Sequence, residues 1–297
     1  MNHSDFPYVC IVGAPRSGTT ILGQKLSQQS KIAYMFEPYF LWDRHSGPMA
    51  NDRRTADMVD AKTEYFIRHE MFRYLKRSKA RVLVDKSPFN SLRIPFVKVI
   101  FPQAKFIHIV RDGNAVALST NKKWCERVDY TRNGHASKFF SEVIDKLSKR
   151  PDWRLQLFAI WYELRHNLSF RCRDYYAAYY DGKPGWGVRY PGFEKDLREL
   201  TLLQFNALQW LSCVNQIESD FGDLSEDRTK VIRYEDFVRD PEGQYDHILK
   251  FIGVENPDLI NFDDVAVQNQ QVPPLSEHDR AAIEPLIGWK LKALGYR

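Results

Sequence analysis

Val9-Cys10-Ile11-Val12-Gly13-Ala14-Pro15-Arg16-Ser17-Gly18-Thr19-Thr20 decides the fold. An apolar run ends in a polar loop bounded by Gly13 and Gly18, and Ile21, Leu22 and Leu26 then carry on at helical spacing. A strand, a glycine-bounded loop and a helix in that order make a phosphate cradle. The N–H groups of the loop and first turn point at an anion, and the helix dipole favours negative charge there. The spacing fits the frame G-x-x-x-x-G-K-[ST]. Thr19, however, stands at the lysine position, and the loop's cation has moved forward to Arg16.

Outward from this unit, the pattern predicts a helix to about residue 30 and a short buried strand over 32–36 ending at Glu37-Pro38. A loop is expected over 43–54, then a helix through Phe66, Met71, Phe72 and Leu75. Residues 81–86 read as a strand with a polar end, Asp85-Lys86. Asn90 is placed to cap a helix through Leu92, Ile94, Val97 and Ile100. A strand over 105–110 then ends in Arg111-Asp112, and Gly113 opens a helix carrying Val116, Leu118 and Ser119. The alternation implies a parallel sheet covered on both faces, with Arg16, Glu37, Lys86 and Arg111 along the edge where ligands of such sheets bind.

The middle of the chain differs. Residues 153–175 and 194–220 read as helical, and the stretch from Tyr175 to Gly187 is both aromatic and turn-rich. Two readings of that stretch stand side by side: an aromatic loop packed on the core, or the wall or lid of an acceptor pocket. A strand over 230–234, a helix from Pro241 through Ile252 and a last helix over 276–294, starting at Ser276 and stopping at Gly295, complete the chain. The expected organisation is one α/β domain over 1–297, with a P-loop core at about 8–124 and 228–297 and a helical, aromatic insertion at about 125–227.

Bulk properties narrow the classes. A net charge of +5 suits a small anionic ligand and falls short of the dense basic patch of a nucleic-acid binder. Cys10, Cys125, Cys172 and Cys213 lie far apart without metal-ligand spacing, as in a reducing compartment. The polar start at residues 1–5 shows no signal peptide, and no apolar run approaches a membrane span. The expectation is a cytoplasmic chain without an integral membrane segment; the sequence is silent on oligomeric state.

In a nucleoside-triphosphate loop the lysine contacts the β- and γ-phosphates and the following Ser or Thr holds Mg²⁺. Thr19 and Thr20 occupy those positions, and the acidic strand ends Asp85 and Asp112 each adjoin a cation, Lys86 and Arg111. A cation-rich, metal-poor phosphate site argues against ordinary ATP chemistry. Two further readings are carried beside the main one: a P-loop kinase using ATP and Mg²⁺, and a non-catalytic nucleotide-phosphate binder with no use for Glu37.

Pro15-Arg16-Ser17-Gly18-Thr19-Thr20 resembles the 5′-phosphosulfate loop of the sulfotransferases that use 3′-phosphoadenosine-5′-phosphosulfate (PAPS). Phe106 through Ser119, with Arg111 and Ser119 eight positions apart, is similar to their 3′-phosphate element. The stretch from Asp85-Lys86-Ser87-Pro88-Phe89 to Ser119 is closest to the tyrosylprotein branch, and Phe36-Glu37-Pro38 is similar to the carbohydrate branch. Arg233-Tyr234-Glu235-Asp236-Phe237 with Asp240-Pro241, and Leu294-Gly295-Tyr296, match further family blocks. The resemblance covers about residues 8–124 and 228–297.

It implies the PAPS sulfotransferase fold and transfer of a sulfuryl group to a hydroxyl, less readily an amine, of a small-molecule, lipid or saccharide acceptor. It implies Glu37 as the general base, and Arg16, Ser17, Gly18, Thr19 and Thr20 around the 5′ side. Arg111 and Ser119 would grip the 3′-phosphate, with Lys123 and Tyr234 as further contacts. The transferred group carries one negative charge, so no metal is required; Arg16 and Lys86 can supply the positive charge that the leaving bridge oxygen needs. The sequence departs from the family at Val265 to Pro274, which has no lysine or glycine. It also lacks the base histidine of the cytosolic small-molecule branch; His108 lies in an apolar strand and reads as a core residue.

Overall fold

Tyr8–Val12, strand β1, is buried at every position, as the continuous apolar run requires of a strand covered on both faces. A computed structural model of the chain describes residues 6–45, 50–132, 155–158, 160, 187–268 and 275–296. Around β1 it arranges β2 (Ile32–Phe36), β3 (Val82–Lys86), β4 (Lys105–Val110) and β5 (Thr229–Arg233) in the order β2-β3-β1-β4-β5, all parallel. Chain order reverses across β1, which makes the phosphate loop the switch point where a crevice opens.

Alternation sorts the strand side chains. Tyr8, Cys10 and Val12 face Met71 and Leu75 of α3 (Ala61–Arg77) and Phe96 and Val97 of α4 (Ile94–Ile100). Val9 and Ile11 face Leu22 and Leu26 of α1 (Thr19–Leu26). A third cluster joins Val116, Ala117 and Trp124 of α5 (Gly113–Arg132) to Phe205, Trp210 and Val214. Those three lie on a long helix, Leu202–Phe221, which follows the shorter Phe193–Glu199. The expected insertion therefore packs its second half directly on the helix after Arg111. Its aromatic stretch, Tyr175 to Trp186, lies outside the described residues, as does most of the helix read over 153–175.

Local signals account for several boundaries. Asp60 caps α3 by accepting from the Thr63 N–H, and Ser276 caps the last helix, Glu277–Ala293, by accepting from the Asp279 N–H. Thr201 and Gln204 form a full capping box. Two expectations are corrected. Helix α1 stops at Leu26 rather than near residue 30. Asn90 caps nothing: a 3₁₀ turn spans Pro88–Leu92, and the Asn90 amide donates to the Asp85 carboxylate instead. A short helix, Asp263–Gln268, covers the start of the stretch from Val265 to Pro274. Two short helices escaped the periodicity, α2 (Tyr39–Trp42) and Tyr234–Arg239, each too brief to show a repeat.

Asp85 is the polar centre of the buried layer. Fully enclosed, its carboxylate accepts from the Tyr8 hydroxyl (3.0 Å), the Trp42 indole N–H (2.8 Å), the Asn90 amide (3.2 Å) and the Ser87 hydroxyl (2.8 Å). These four donors tie β1, β3, the 3₁₀ turn and α2 to one point. Burial pushes its pKa up to about 6 against those donors. A carboxyl raised in the folded state contributes stability below its unfolded pKa and loses it as pH rises through the folded one. Between pH 4 and pH 7, urea unfolding should therefore show wild type losing on the order of 2 kcal/mol relative to Asp85→Asn. A flat difference would contradict the raised carboxyl.

Candidate active site at the strand ends

The sheet register lines up the site. Phe36 pairs with Lys86 across β2 and β3, and Ile11 pairs with Lys86 across β1 and β3. Val110 pairs with Arg233 across β4 and β5. Glu37, Arg111 and Tyr234 each come one residue after a paired strand end, and the loop of Gly13 to Thr20 rises between them. All open on one edge.

Two of the four non-glycine residues with positive φ among those described are site residues, Arg16 (φ 70) and Glu37 (φ 47). Left-handed backbone at such residues costs about 1–2 kcal/mol each, and it clusters where geometry serves a site. At Glu37 the surroundings hold it: its N–H donates to the Lys86 carbonyl (2.9 Å), and its own carbonyl accepts from the Tyr39 N–H (2.8 Å).

Lys86 is buried and donates to Glu37 Oε1 at 2.6 Å, with its ammonium 4.6 Å from the Phe36 ring centroid. The expected base thus stands in an ion pair with one of the strand-end cations, an arrangement that the sequence also allowed. Arg16 Nε donates to Ser119 Oγ (3.1 Å), and the Arg111 guanidinium donates to the Arg16 carbonyl (3.1 Å). Arg111 also lies over the Tyr234 ring, 4.2 Å from its centroid. Lys123 follows Ser119 by four positions on α5, one turn further along the same face. Nine of the eleven expected residues belong to these strand ends, the loop or its helix start, and α5 carries the other two, Ser119 and Lys123.

The loop fits an anion. Gly18 caps α1 without any side-chain hydrogen bond, and no acidic residue lies in the first turn. The Ser17 hydroxyl is buried inside the loop with no hydrogen-bond partner among the described residues. A buried hydroxyl in that position is an orphan that a phosphate oxygen would satisfy. Two glycines make the loop possible. A Cβ on Gly13 would meet the Ile109 carbonyl at 2.6 Å, and one on Gly18 (φ 98) would meet Tyr234 Cδ2 at 2.3 Å.

The two strand-end aspartates face elsewhere. The Asp85 carboxylate is filled by its four donors in the core, and Asp112 accepts from the Asn114 N–H at 2.8 Å. His108 is buried beside Phe221, and burial drives its pKa down to about 3, so it stays neutral as a core residue. Among the described residues no helix is long and apolar enough to cross a membrane. Reading the sequence missed Ser91, whose hydroxyl both accepts from the Gly13 N–H (2.9 Å) and donates to the Gly13 carbonyl (3.1 Å). It also missed Trp210, whose indole donates to the Arg111 carbonyl (3.1 Å) from far along the chain.

A family model described as the sulfotransferase family matches residues 7–169. Nodulation protein NoeE of Sinorhizobium fredii is 26% identical over 137 residues, 41% of this chain and 33% of that protein. Human protein-tyrosine sulfotransferase 1 is 30% identical over 125 residues, 38% of this chain and 33% of that protein. The matches thus span about a third of the length of these curated relatives. A shorter stretch of 47 residues is 51% identical to the omega-hydroxy-beta-dihydromenaquinone-9 sulfotransferase Stf3 of Mycobacterium bovis, covering 16% of this chain and 12% of that one. Among solved structures, the sulfotransferase domain from the curacin biosynthetic pathway superposes with a TM-score of 0.51 at 14% identity, over 99% of both chains; the likeness is one of fold.

The loop geometry yields a comparison of two glycines of similar φ. Gly192→Ala (φ 90, nothing within 4 Å of the new Cβ) should cost only the backbone strain, about 1 kcal/mol. Gly18→Ala adds the collision with Tyr234 and should cost at least about 1 kcal/mol more in urea unfolding. Equal costs would mean that the ring yields freely.

Proposed function

The chain belongs to the sulfotransferase family, and on that premise we propose that it transfers a sulfuryl group from PAPS to a hydroxyl of a small-molecule, lipid or saccharide acceptor. The observation that carries the reading is the Lys86–Glu37 pair at 2.6 Å, standing on the same edge as the Arg16–Ser119–Arg111 cluster. One group of charges suits a nucleotide carrying two phosphates, and the other suits proton transfer beside it. The same reading keeps the chain as one domain with an acceptor-side insertion.

In the reaction the acceptor oxygen bonds to sulfur as the bond from sulfur to the 5′-phosphate oxygen breaks, and adenosine 3′,5′-diphosphate leaves. Ser17, Thr19, Thr20 and the loop N–H groups would hold the 5′-phosphate, with Gly18 allowing the backbone to come close. Arg111 and Ser119, with Lys123 and Tyr234, would hold the 3′-phosphate. Glu37 takes the proton of the acceptor hydroxyl. Protonation removes the carboxylate charge that holds Lys86, so the ammonium is released as negative charge builds on the bridging oxygen. Arg16 would supply a second cation to that oxygen. Preorganised cations facing developing charge are the largest source of rate in such sites.

Thermal unfolding with adenosine 3′,5′-diphosphate in the absence of metal tests the donor. At a hundred times its Kd, the ligand should add about 2.7 kcal/mol of apparent stability. Stabilisation by ATP with Mg²⁺ alone would overturn the donor assignment. Glu37→Gln should leave diphosphate binding intact and lower kcat by about 10²-fold or more on the acceptor found by a sulfate-transfer screen. Unchanged kcat would remove Glu37 as the base.

A further inference from the structure

Three residues that the proposed chemistry leaves idle, Asp112, Glu235 and Tyr296, are joined at one carboxylate. Glu235 Oε1 accepts from the Asp112 N–H (3.0 Å), and Glu235 Oε2 accepts from the Tyr296 hydroxyl (2.9 Å). The Tyr296 ring lies under the Arg233 guanidinium, 4.2 Å from centroid to carbon, and Arg233 donates to the Leu294 carbonyl (2.8 Å). The segment after the last helix is thereby folded back onto the ends of β4 and β5.

The peptide group between Arg111 and Asp112 is held from both sides. Its carbonyl accepts from the Trp210 indole (3.1 Å), and its N–H is the one donated to Glu235. Fixing that peptide plane fixes the direction in which the Arg111 side chain leaves the backbone. Tyr234, adjacent to Glu235, carries the ring on which Arg111 lies and against which Gly18 packs. A single carboxylate therefore sets both members of the Arg111–Tyr234 stack. Burial, with the Glu235 charge facing it, also raises the pKa of Asp112, so the cluster brings two carboxyl groups together that would otherwise avoid each other. That arrangement makes little sense as surface charge.

We propose that Glu235, bolted in place by Tyr296, is a positioning residue that presets Arg111 and Tyr234 for the 3′-phosphate of the donor. The inference rests on the donor reading above. It assigns no contact between Glu235 and the ligand; Glu235 acts through the backbone of Asp112 and through its neighbour Tyr234.

Calorimetric titration of adenosine 3′,5′-diphosphate onto the full chain tests it, using wild type, Glu235→Ala, Glu235→Gln, Tyr296→Phe and Tyr190→Phe. The last removes a phenol-to-carboxylate bond of the same kind, Tyr190 to Asp196 (2.7 Å), away from the strand ends. Glu235→Ala should weaken binding about tenfold and Tyr296→Phe about threefold, in line with lost hydrogen bonds to a charged acceptor. Glu235→Gln keeps an acceptor for the Asp112 N–H and should restore most of the affinity, while Tyr190→Phe leaves it unchanged even where its melting temperature falls as far. Wild-type affinity in Tyr296→Phe, or an equal loss in Tyr190→Phe, overturns the proposal. A wild type that does not bind the diphosphate overturns the donor reading beneath it, a result recognisable before any variant is compared.

Discussion

Parallel pairing is the constraint on which everything else in this chain depends. Five strands running the same way end at one edge, and the register fixes how far each end projects. Lys86 pairs with Ile11 on one side and with Phe36 on the other, so Glu37 and the loop after Val12 are held at matching heights. The backbone hydrogen bonds of β3 are thus part of the site's geometry. Asp85, one residue earlier, gathers four donors, from β1, α2, the 3₁₀ turn and Ser87 between β3 and that turn, and these keep the end of the strand from shifting.

Two of the four left-handed non-glycine residues among those described stand at the strand-end edge. Arg16 and Glu37 sit in left-handed backbone that their side chains disfavour, while the phosphate loop carries an unsatisfied hydroxyl at Ser17. Each feature is unfavourable in isolation and persists because the packed layers around it leave no alternative. Helix α5 and the long helix Leu202–Phe221 contribute to that from beyond the sheet, through Trp210 packed over Gly113 and bonded to the Arg111 carbonyl.

Much of this was legible in the sequence, and the reason is the range over which each signal acts. The strands, the loop and Glu37, Lys86 and Arg111 at the strand ends follow from apolar runs that finish in charge, which is local information. The resemblance to sulfotransferases added Ser119 and Tyr234 by spacing. The pairing of Lys86 with Glu37 needed the register of two strands, which no local pattern carries. Asn90 looks like a cap because a polar residue precedes an apolar run, whereas a 3₁₀ turn takes up Pro88–Leu92 and the helix starts only at Ile94. Glu235 with Tyr296, and Trp210 with Arg111, join residues so distant in the chain that only the folded state connects them.

The ring of Tyr234 occupies the space that a side chain at residue 18 would take, and the guanidinium of Arg111 rests on that same ring. In evolutionary terms the three positions form one character. A larger residue at 18 requires a smaller one at 234, and that change strips Arg111 of its platform, so no single substitution leads from this arrangement to another. Segments that do not touch the ring are under no such constraint, whereas this corner can change only as a unit.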